Sequence, residues 1–342
     1  MATVETSVER GIGTILLNRP AALNALDASM YAALGSTLDA WHDDPEVRAV
    51  TLRGAGKAFC AGGDVRFTLE RVRAGDGDLV DALFREEYRI DGLIHRYPKP
   101  VVAVIDGVCM GGGMGLAMHA RYRLVTERAL LAMPETDLGF IPDCGVAWLF
   151  VRLPGAVGTY LALTGARLGA SDARAIGLAT HALAVDRAGE VEALLAGCAD
   201  AGEVDAALTA LAAELPEAPL APHRAAIDAA FGRDGVSAIV AALERDSSPW
   251  AVTTLAALRR ISPTAAALTF ELLKRERTLS LEAAFALEGR LAGWLARTPE
   301  YAEGVRAVIL DKDRTPLWKP SRIEDVDHDA VVRLLDAAQA EG

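Results

Sequence analysis

This 342-residue chain lacks the patterns that hold metals or shuttle electrons. Its four cysteines (Cys60, Cys109, Cys144, Cys198) and six histidines are scattered, with no C-x-x-C pair and no H-x-x-x-H spacing. Zinc and dithiol chemistry therefore have no scaffold, no metal site is expected, and the thiols read as small buried apolar residues in a reducing compartment. Basic residues are in deficit, 35 Lys and Arg against 47 Asp and Glu, for a net charge of −12. Nothing broad and cationic is there to neutralise phosphates, which argues against nucleic acid and anionic membrane as partners. The longest apolar stretch, VVAVIDGVCMGGGMGLAM (101–118), is broken by Asp106 and by glycines. It reads as a strand, a turn and a helix rather than a membrane span. The start, MATVETSVERG, is acidic and polar, unlike a secretory signal or an Arg-rich transit peptide, so a cytoplasmic protein is expected.

What the chain does have is glycine in two turns and a pair of acids beyond them. FCAGGD (59–64) and MGGGMG (110–115) precede Glu135 and Asp143 in MPETDLGFIPDCG (133–145). Glycine has no Cβ and admits positive φ, so each turn can aim bare N–H groups at an oxygen, while the carboxylates offer acid/base chemistry. These are the groups that acyl transfer or enolate chemistry requires.

TVETSVER and GTILLNRP, split by Gly11, predict a hairpin whose second strand is the more buried. Asp27 is the expected N-cap of a helix to about Asp43 that buries Met30, Tyr31, Leu34, Leu38 and Trp41. VRAVTLRG (47–54) and KPVVAVIDG (99–107) are strands leading into the two glycine turns. Asp64 is placed to cap the next helix, and residues 78–97 form another that ends before Pro98. ARYRLVTERALLAMP (120–134) gives two short strands, then the acidic loop and a helix with Trp148 and Leu149. This strand, strand, helix rhythm predicts a stacked or spiralled α/β core rather than a plain doubly wound sheet. Beyond about residue 155 Ala-rich helices are expected (155–213, 221–245, 247–260, 264–275, 280–297), parted by PEAPLAP (216–222) and Ser/Pro breaks. The expected division is an α/β core over 1–213 carrying the chemistry and a helical region over 214–342 for packing, lidding or subunit contact.

LNRPAALNAL (17–26), GKAFCAGGDV (56–65), KPVVAVIDGVCMGGGMGL (99–116) and MPETDLGFIPDCG (133–145), in that order, resemble the crotonase (enoyl-CoA hydratase/isomerase) superfamily along nearly the whole chain. LFREEYRID (83–91), Asp143 in IPDCG and EGVRAVILDKDRTPLWKP (303–320) narrow the resemblance to the 3-hydroxyisobutyryl-CoA hydrolase branch. The resemblance implies a crotonase-like spiral of strand-strand-helix units with a helical C-terminal region. It implies an acyl-CoA thioester hydrolase of valine breakdown, with no metal and no cofactor apart from the coenzyme A of the substrate. Carried over position by position, it implies an oxyanion hole from the N–H groups of Gly63 and Gly112. Glu135 becomes the catalytic carboxylate and Asp143 the branch's second acid. Glu87 becomes a substrate contact, and so do Ala61 and Asp64 of the first glycine turn. Family members are commonly trimers or pairs of trimers, so a homo-oligomer is an open expectation.

One departure bears on the reaction. Hydratases of this family place a second carboxylate two residues beyond GGG, where this chain has Gly115. Syn addition of water to a conjugated C=C asks for a base and an acid on one face, so hydration here lacks a partner. Thioester hydrolysis needs only the stabilised carbonyl oxygen and an activated water or nucleophile, and Glu135 suits either role. If both acids face a substrate, repulsion and desolvation favour a split of acid and base roles. An enoyl-CoA hydratase or isomerase, and a non-catalytic acyl-CoA-binding protein, are the alternatives. Lys57, Arg19 and Arg66 are candidate phosphate contacts, and Cys144, Val146 and Trp148 candidate neighbours of the acyl group. Plainer roles stay open: Asp143 as the N-cap of a helix at 145–152, Glu87 on a solvated face, His119 as a structural imidazole, and Trp318 as the anchor of a packing strap.

Overall fold

The computed structural model describes residues 2–198 and 200–340. They form two compact units interleaved along the sequence, unit 1 from 1–64, 86–132 and 167–219 and unit 2 from 65–85, 133–166 and 220–342.

Unit 1 holds nine strands: β1 (Val4–Glu9), β2 (Ile12–Leu17), β3 (Ala49–Gly54), β4 (Ala58–Cys60), β5 (Val101–Ile105), β6 (Val108–Met110), β7 (Tyr122–Thr126), β8 (Leu130–Ala132) and β9 (His181–Leu183). β1 and β2 are the predicted antiparallel hairpin, and Arg10 and Gly11 (φ +52° and +83°) give its two-residue turn the twist that a hairpin needs. The long strands stack in the order β1-β2-β3-β5-β7-β9, parallel after the hairpin, and the short ones form a second parallel sheet, β4-β6-β8. β3, β5 and β7 are each followed by a short strand displaced into the second sheet, β4, β6 and β8, which is the expected spiral. Tight contact between successive turns requires glycine: a Cβ on Gly107 (φ +86°) would stand 2.1 Å from the Lys57 carbonyl oxygen.

Asn24 explains the LNRPAALNAL stretch. It is fully buried with φ +58°, a conformation Asn tolerates, and its Nδ2 donates to the carbonyls of Ala55, Ala58 and Phe59 at 2.9, 2.8 and 3.2 Å. That amide fastens the first loop to β4. The helix Ala28–His42 has the predicted cap, Asp27 accepting from the N–H groups of Ser29 and Met30, and buries the five predicted side chains. β9 was not predicted. Its three residues, HAL, sit inside an Ala-rich run whose helical composition masks them, and pairing with β7 makes them a strand.

Unit 2 is helical, and three of its helices start where Ser or Thr precedes Pro. Ser248, Ser262 and Thr298 accept from the N–H groups of Ala251, Ala265 and Tyr301, with Pro in the first helical turn each time. Helix Pro263–Glu276 is buried along most of its length. The Trp318 strap is as expected: the ring is buried and its Nε1 donates to the Arg260 carbonyl at 2.9 Å. No helix among the described residues is long and apolar enough to cross a membrane.

Candidate active site

Unit 1 brings the two glycine turns together. Gly62 O accepts from Leu26 N, and Asp64 N donates to Leu26 O, at 2.8 and 2.9 Å, so this edge pairs with the 23–26 segment. Alternation along an extended chain then turns the Gly63 N–H to the other side. There it meets the second turn: Gly63 N is 3.5 Å from the position a Cβ on Gly112 would take. From the opposite direction, Gly112 N is 3.3 Å from a Cβ placed on Gly62. Gly112 is the first residue of helix Gly112–Met118, whose initial N–H groups have no intrahelical acceptor.

Glu87 stands at the same point. It is 7% exposed, so the solvated role is excluded, and its Oε1 accepts from Tyr31 Oη at 2.6 Å. A Cβ on Gly112 would lie 2.2 Å from that oxygen, and one on Gly63 would lie 3.5 Å from the Tyr31 hydroxyl. Glycine at 112 is what admits the carboxylate. Ala61 donates its N–H to the Leu23 carbonyl at 3.0 Å, and the Asp64 carboxylate takes Arg19 Nη1 at 2.9 Å. Arg19 also donates to the Ala25 carbonyl and pairs with Asp27, so its charge is balanced locally. Burial pushes the Cys60 thiol up to about 12, with the charges of Glu87 and Asp91 acting in the same direction, so no thiolate nucleophile forms there. His119 is buried, edge to face with His95 at 5.7 Å.

Unit 2 carries the two acids on one chain segment. Glu135 opens the 3-10 turn Glu135–Leu138 and is 8% exposed; Asp143, eight residues on, is 5% exposed. The turn is clamped from several sides. The Thr136 carbonyl accepts from Ser262 N at 3.1 Å, and Asp137 takes both Nε and Nη2 of Arg260 at 3.1 and 3.0 Å. Phe140 packs on Phe84 and Tyr301 with ring centroids 6.1 and 5.5 Å apart. Since Trp318 is bonded to the Arg260 carbonyl, the C-terminal strap supports this turn through one intervening residue.

The plainer reading of Asp143 is corrected. The helix that follows runs Val146–Phe150, its N-cap is Gly145, and no side chain caps it. Asp143 contributes its backbone carbonyl instead, accepting from Val146 N at 2.9 Å, because Cys144 and Gly145 are both left-handed (φ +58° and +70°). For a non-glycine residue such as Cys144 that conformation costs roughly 1 to 2 kcal/mol, so something must hold it. Gly145 N–H donates to Glu288 Oε2 at 2.6 Å, between fully buried groups. Cys144 and Val146 are buried, while Trp148 donates to the Leu279 carbonyl at 2.9 Å and is covered by the Arg152 guanidinium, 3.5 Å above its ring. Arg66 donates to the Ile309 carbonyl at 2.9 Å.

Tyr31, Ser262, Arg260, Glu276 and Glu288 were not anticipated from the sequence as supports of functional groups. For Glu288 a signal exists: Leu281, Ala284, Phe285, Leu291, Ala292 and Leu295 are the buried stripe of its helix, and the carboxylate falls in the middle of it. The others act across sequence separations that no local pattern marks.

Residues 12–335 match the family described as enoyl-CoA hydratase/isomerase. The chain is 39% identical to a mitochondrial 3-hydroxyisobutyryl-CoA hydrolase of Gallus gallus over 338 residues, covering 96% of this chain and 88% of that protein. It is 40% identical to the mitochondrial protein of the same name from Xenopus tropicalis, over 93% of this chain and 85% of that one. Among solved structures, a carnitinyl-CoA dehydratase from Mycobacterium thermoresistibile has a TM-score of 0.91 at 38% identity, covering 98% of this chain and 96% of its own. An enoyl-CoA hydratase from Rhodobacter sphaeroides has the same score and identity, with 98% and 97% covered. The expectation of a cytoplasmic location is corrected by these relatives, which are named as mitochondrial. Compartment is set by address segments and not by the folded chain's composition, so a polar start was no guide to it. Both the family match and the extent of the shared sequence give one result: the chain belongs to the enoyl-CoA hydratase/isomerase family.

Proposed function

We propose that the protein hydrolyses a CoA thioester, 3-hydroxyisobutyryl-CoA, the hydrolytic step of valine breakdown. The thioester carbonyl oxygen takes the N–H groups of Gly63 and Gly112, which stabilise the negative charge that develops when the carbon is attacked. Glu135 supplies the attack, as base toward a water that displaces the CoA thiolate, or as nucleophile that displaces the thiolate itself to give a mixed anhydride that water then opens. Asp143 orients the water or the substrate hydroxyl, and Glu87, set by Tyr31, contacts the acyl part. The reaction draws on no cofactor beyond the coenzyme A of the substrate.

The observation that carries this reading is the placement of acids. Glu135 and Asp143 are both buried on one clamped segment, while position 115, where a hydratase of this family would place a second carboxylate, is a glycine buried in helix Gly112–Met118. The curated relatives named above as hydrolases support it. The two solved structures described as a dehydratase and a hydratase, at 38% identity, favour hydration of an enoyl-CoA as the second reading. A panel of short acyl-CoA thioesters separates them. Thiol release from 3-hydroxyisobutyryl-CoA is expected; loss of enoyl absorbance from crotonyl-CoA without thiol release would replace hydrolysis with hydration. Tight binding with neither signal would leave only a binding protein.

A further inference from the structure

Behind the Asp143 segment, unit 2 buries two carboxyls that the proposed reaction does not use. Glu276, on helix Pro263–Glu276, and Glu288, on helix Leu281–Leu295, are both 0% exposed. Glu288 Oε2 accepts from Gly145 N at 2.6 Å. Glu288 Oε1 and both oxygens of Glu276 meet no N–H or hydroxyl donor among the described residues. The two carboxyls are within reach of each other, so a proton shared between them would satisfy these oxygens. Two buried carboxylates cannot both ionise in contact, so one proton stays with the pair.

The groups around the pair do not replace that proton. Arg152, the cation that favours ionised Glu276, gives its N–H groups to the backbone carbonyls of Trp148, Glu276 and Leu279. Arg275 is paired with Asp336 and Glu271, Lys274 with Glu271 and Asp234, and Arg290 with the Ala338 carbonyl. On the loop side Asp143 adds negative charge, which opposes ionisation of Glu288. Burial is the largest cause, pushing Glu276 up to about 7 and Glu288 well above the usual carboxylate range.

We propose that the Glu276–Glu288 pair is the positioning element of the Asp143 turn: a shared proton keeps Glu288 as acceptor for the Gly145 N–H, and that bond holds the left-handed Cys144–Gly145 turn that aims Asp143. Two successive left-handed residues, the first of them not glycine, persist only where the surroundings over-determine them. The buried acceptor on the second amide is that determinant. Removing the second proton leaves two charges in an apolar setting, which drives the helices and the turn apart. The catalytic consequence rests on the thioester hydrolysis proposed above; the geometric one does not.

The experiment compares wild type, Glu288→Gln and Glu288→Leu. Gln keeps an acceptor for Gly145 and gives Glu276 a permanent donor; Leu keeps the bulk and removes the acceptor. With 3-hydroxyisobutyryl-CoA, Glu288→Leu is expected to lower kcat about tenfold or more with KM little changed, the loss of an aimed group rather than of binding. Glu288→Gln is expected to stay close to wild type at pH 7 and to lose the decline in kcat that wild type shows as pH rises above neutrality. Hydrogen exchange of the 139–150 segment in wild type, corrected for intrinsic rates, is expected to speed up over the same pH range. This last measurement needs neither a variant nor turnover. If wild type releases no thiol, hydrolysis fails as the function while the exchange data still decide the positioning role. Exchange in that segment that is flat with pH, or a Glu288→Leu enzyme with wild-type kcat and pH profile, would overturn the proposal.

Discussion

In unit 1 the groups proposed for the reaction are backbone amides; in unit 2 they are side-chain carboxylates. The amides of Gly63 and Gly112 are placed by strand pairing and by a helix start, and the residues that hold them there are mostly glycines, whose role is to be small. Glu135 and Asp143 lie on a segment with little regular structure, placed by Ser262, Arg260 and Glu288 from helices more than a hundred residues away. A donor belonging to the main chain is fixed once the sheet forms. A carboxylate on a turn is fixed only when several distant contacts agree, and each of those can be broken singly.

The largest expected effect tests unit 2 directly. Glu135→Gln keeps the shape of the side chain and removes its basicity, so kcat for thiol release is expected to fall by about 10² to 10⁴, the usual worth of a general base, with little change in KM. A variant that retained most of its turnover would place the chemistry in unit 1 alone. Next in size, Gly112→Ala tests unit 1 without touching an acid. The added methyl would stand 2.2 Å from Glu87 Oε1 and 3.5 Å from Gly63 N, in the space beside both. The backbone at 112 has no positive φ, so the helix should form normally while kcat/KM drops by about 10² to 10³, as when one oxyanion donor is lost. Wild-type kcat/KM would show that the close approach of the turns has no bearing on the substrate.

The smallest effect concerns stability and sharpens the contrast. Burial pushes Glu276 up to about 7 in the folded protein against an ordinary 4.5, and pushes Glu288 well above the usual carboxylate range. A raised carboxyl contributes stability that is full below about pH 4.5 and is lost as pH climbs through about 7. Glu276→Gln should flatten this dependence, and the difference between the two proteins, read from thermal unfolding between pH 5 and 8, is expected to be on the order of 1 to 3 kcal/mol. Parallel curves would mean that the pair does not titrate in this range.

Unit 1 could be read from the sequence because its signals are local. Alternating apolar runs, Gly11, Asp27 and the two glycine turns each act within a few residues, and the hairpin, the first helix and strands β3, β5, β7 and β8 followed from them, while the three-residue strands β4 and β6 lay hidden against the glycine turns. β9 escaped because three residues inside an Ala-rich run carry no period of their own, and only β7 beside them makes a strand. In unit 2 the Ser/Pro helix starts were equally legible, since a cap and the proline after it are neighbours. For Asp143 the sequence left two roles open, second acid or helix cap, and only the left-handed turn at Cys144 and Gly145, which makes Gly145 the N-cap, removes the second.

By itself, then, the sequence determined which groups the protein owns: two bare-amide turns, two acids eight residues apart, no carboxylate at 115, and the helices and strands that carry them. The tertiary structure decided what those groups meet. Glu87 against Tyr31 and Gly112, Asp137 against Arg260, and Gly145 against Glu288 are pairings across 56, 123 and 143 residues. The physical reason is range: propensity, capping and turn chemistry act within a few bonds and leave a mark in the local pattern, whereas burial and a hydrogen bond between distant residues exist only once the chain has closed on itself.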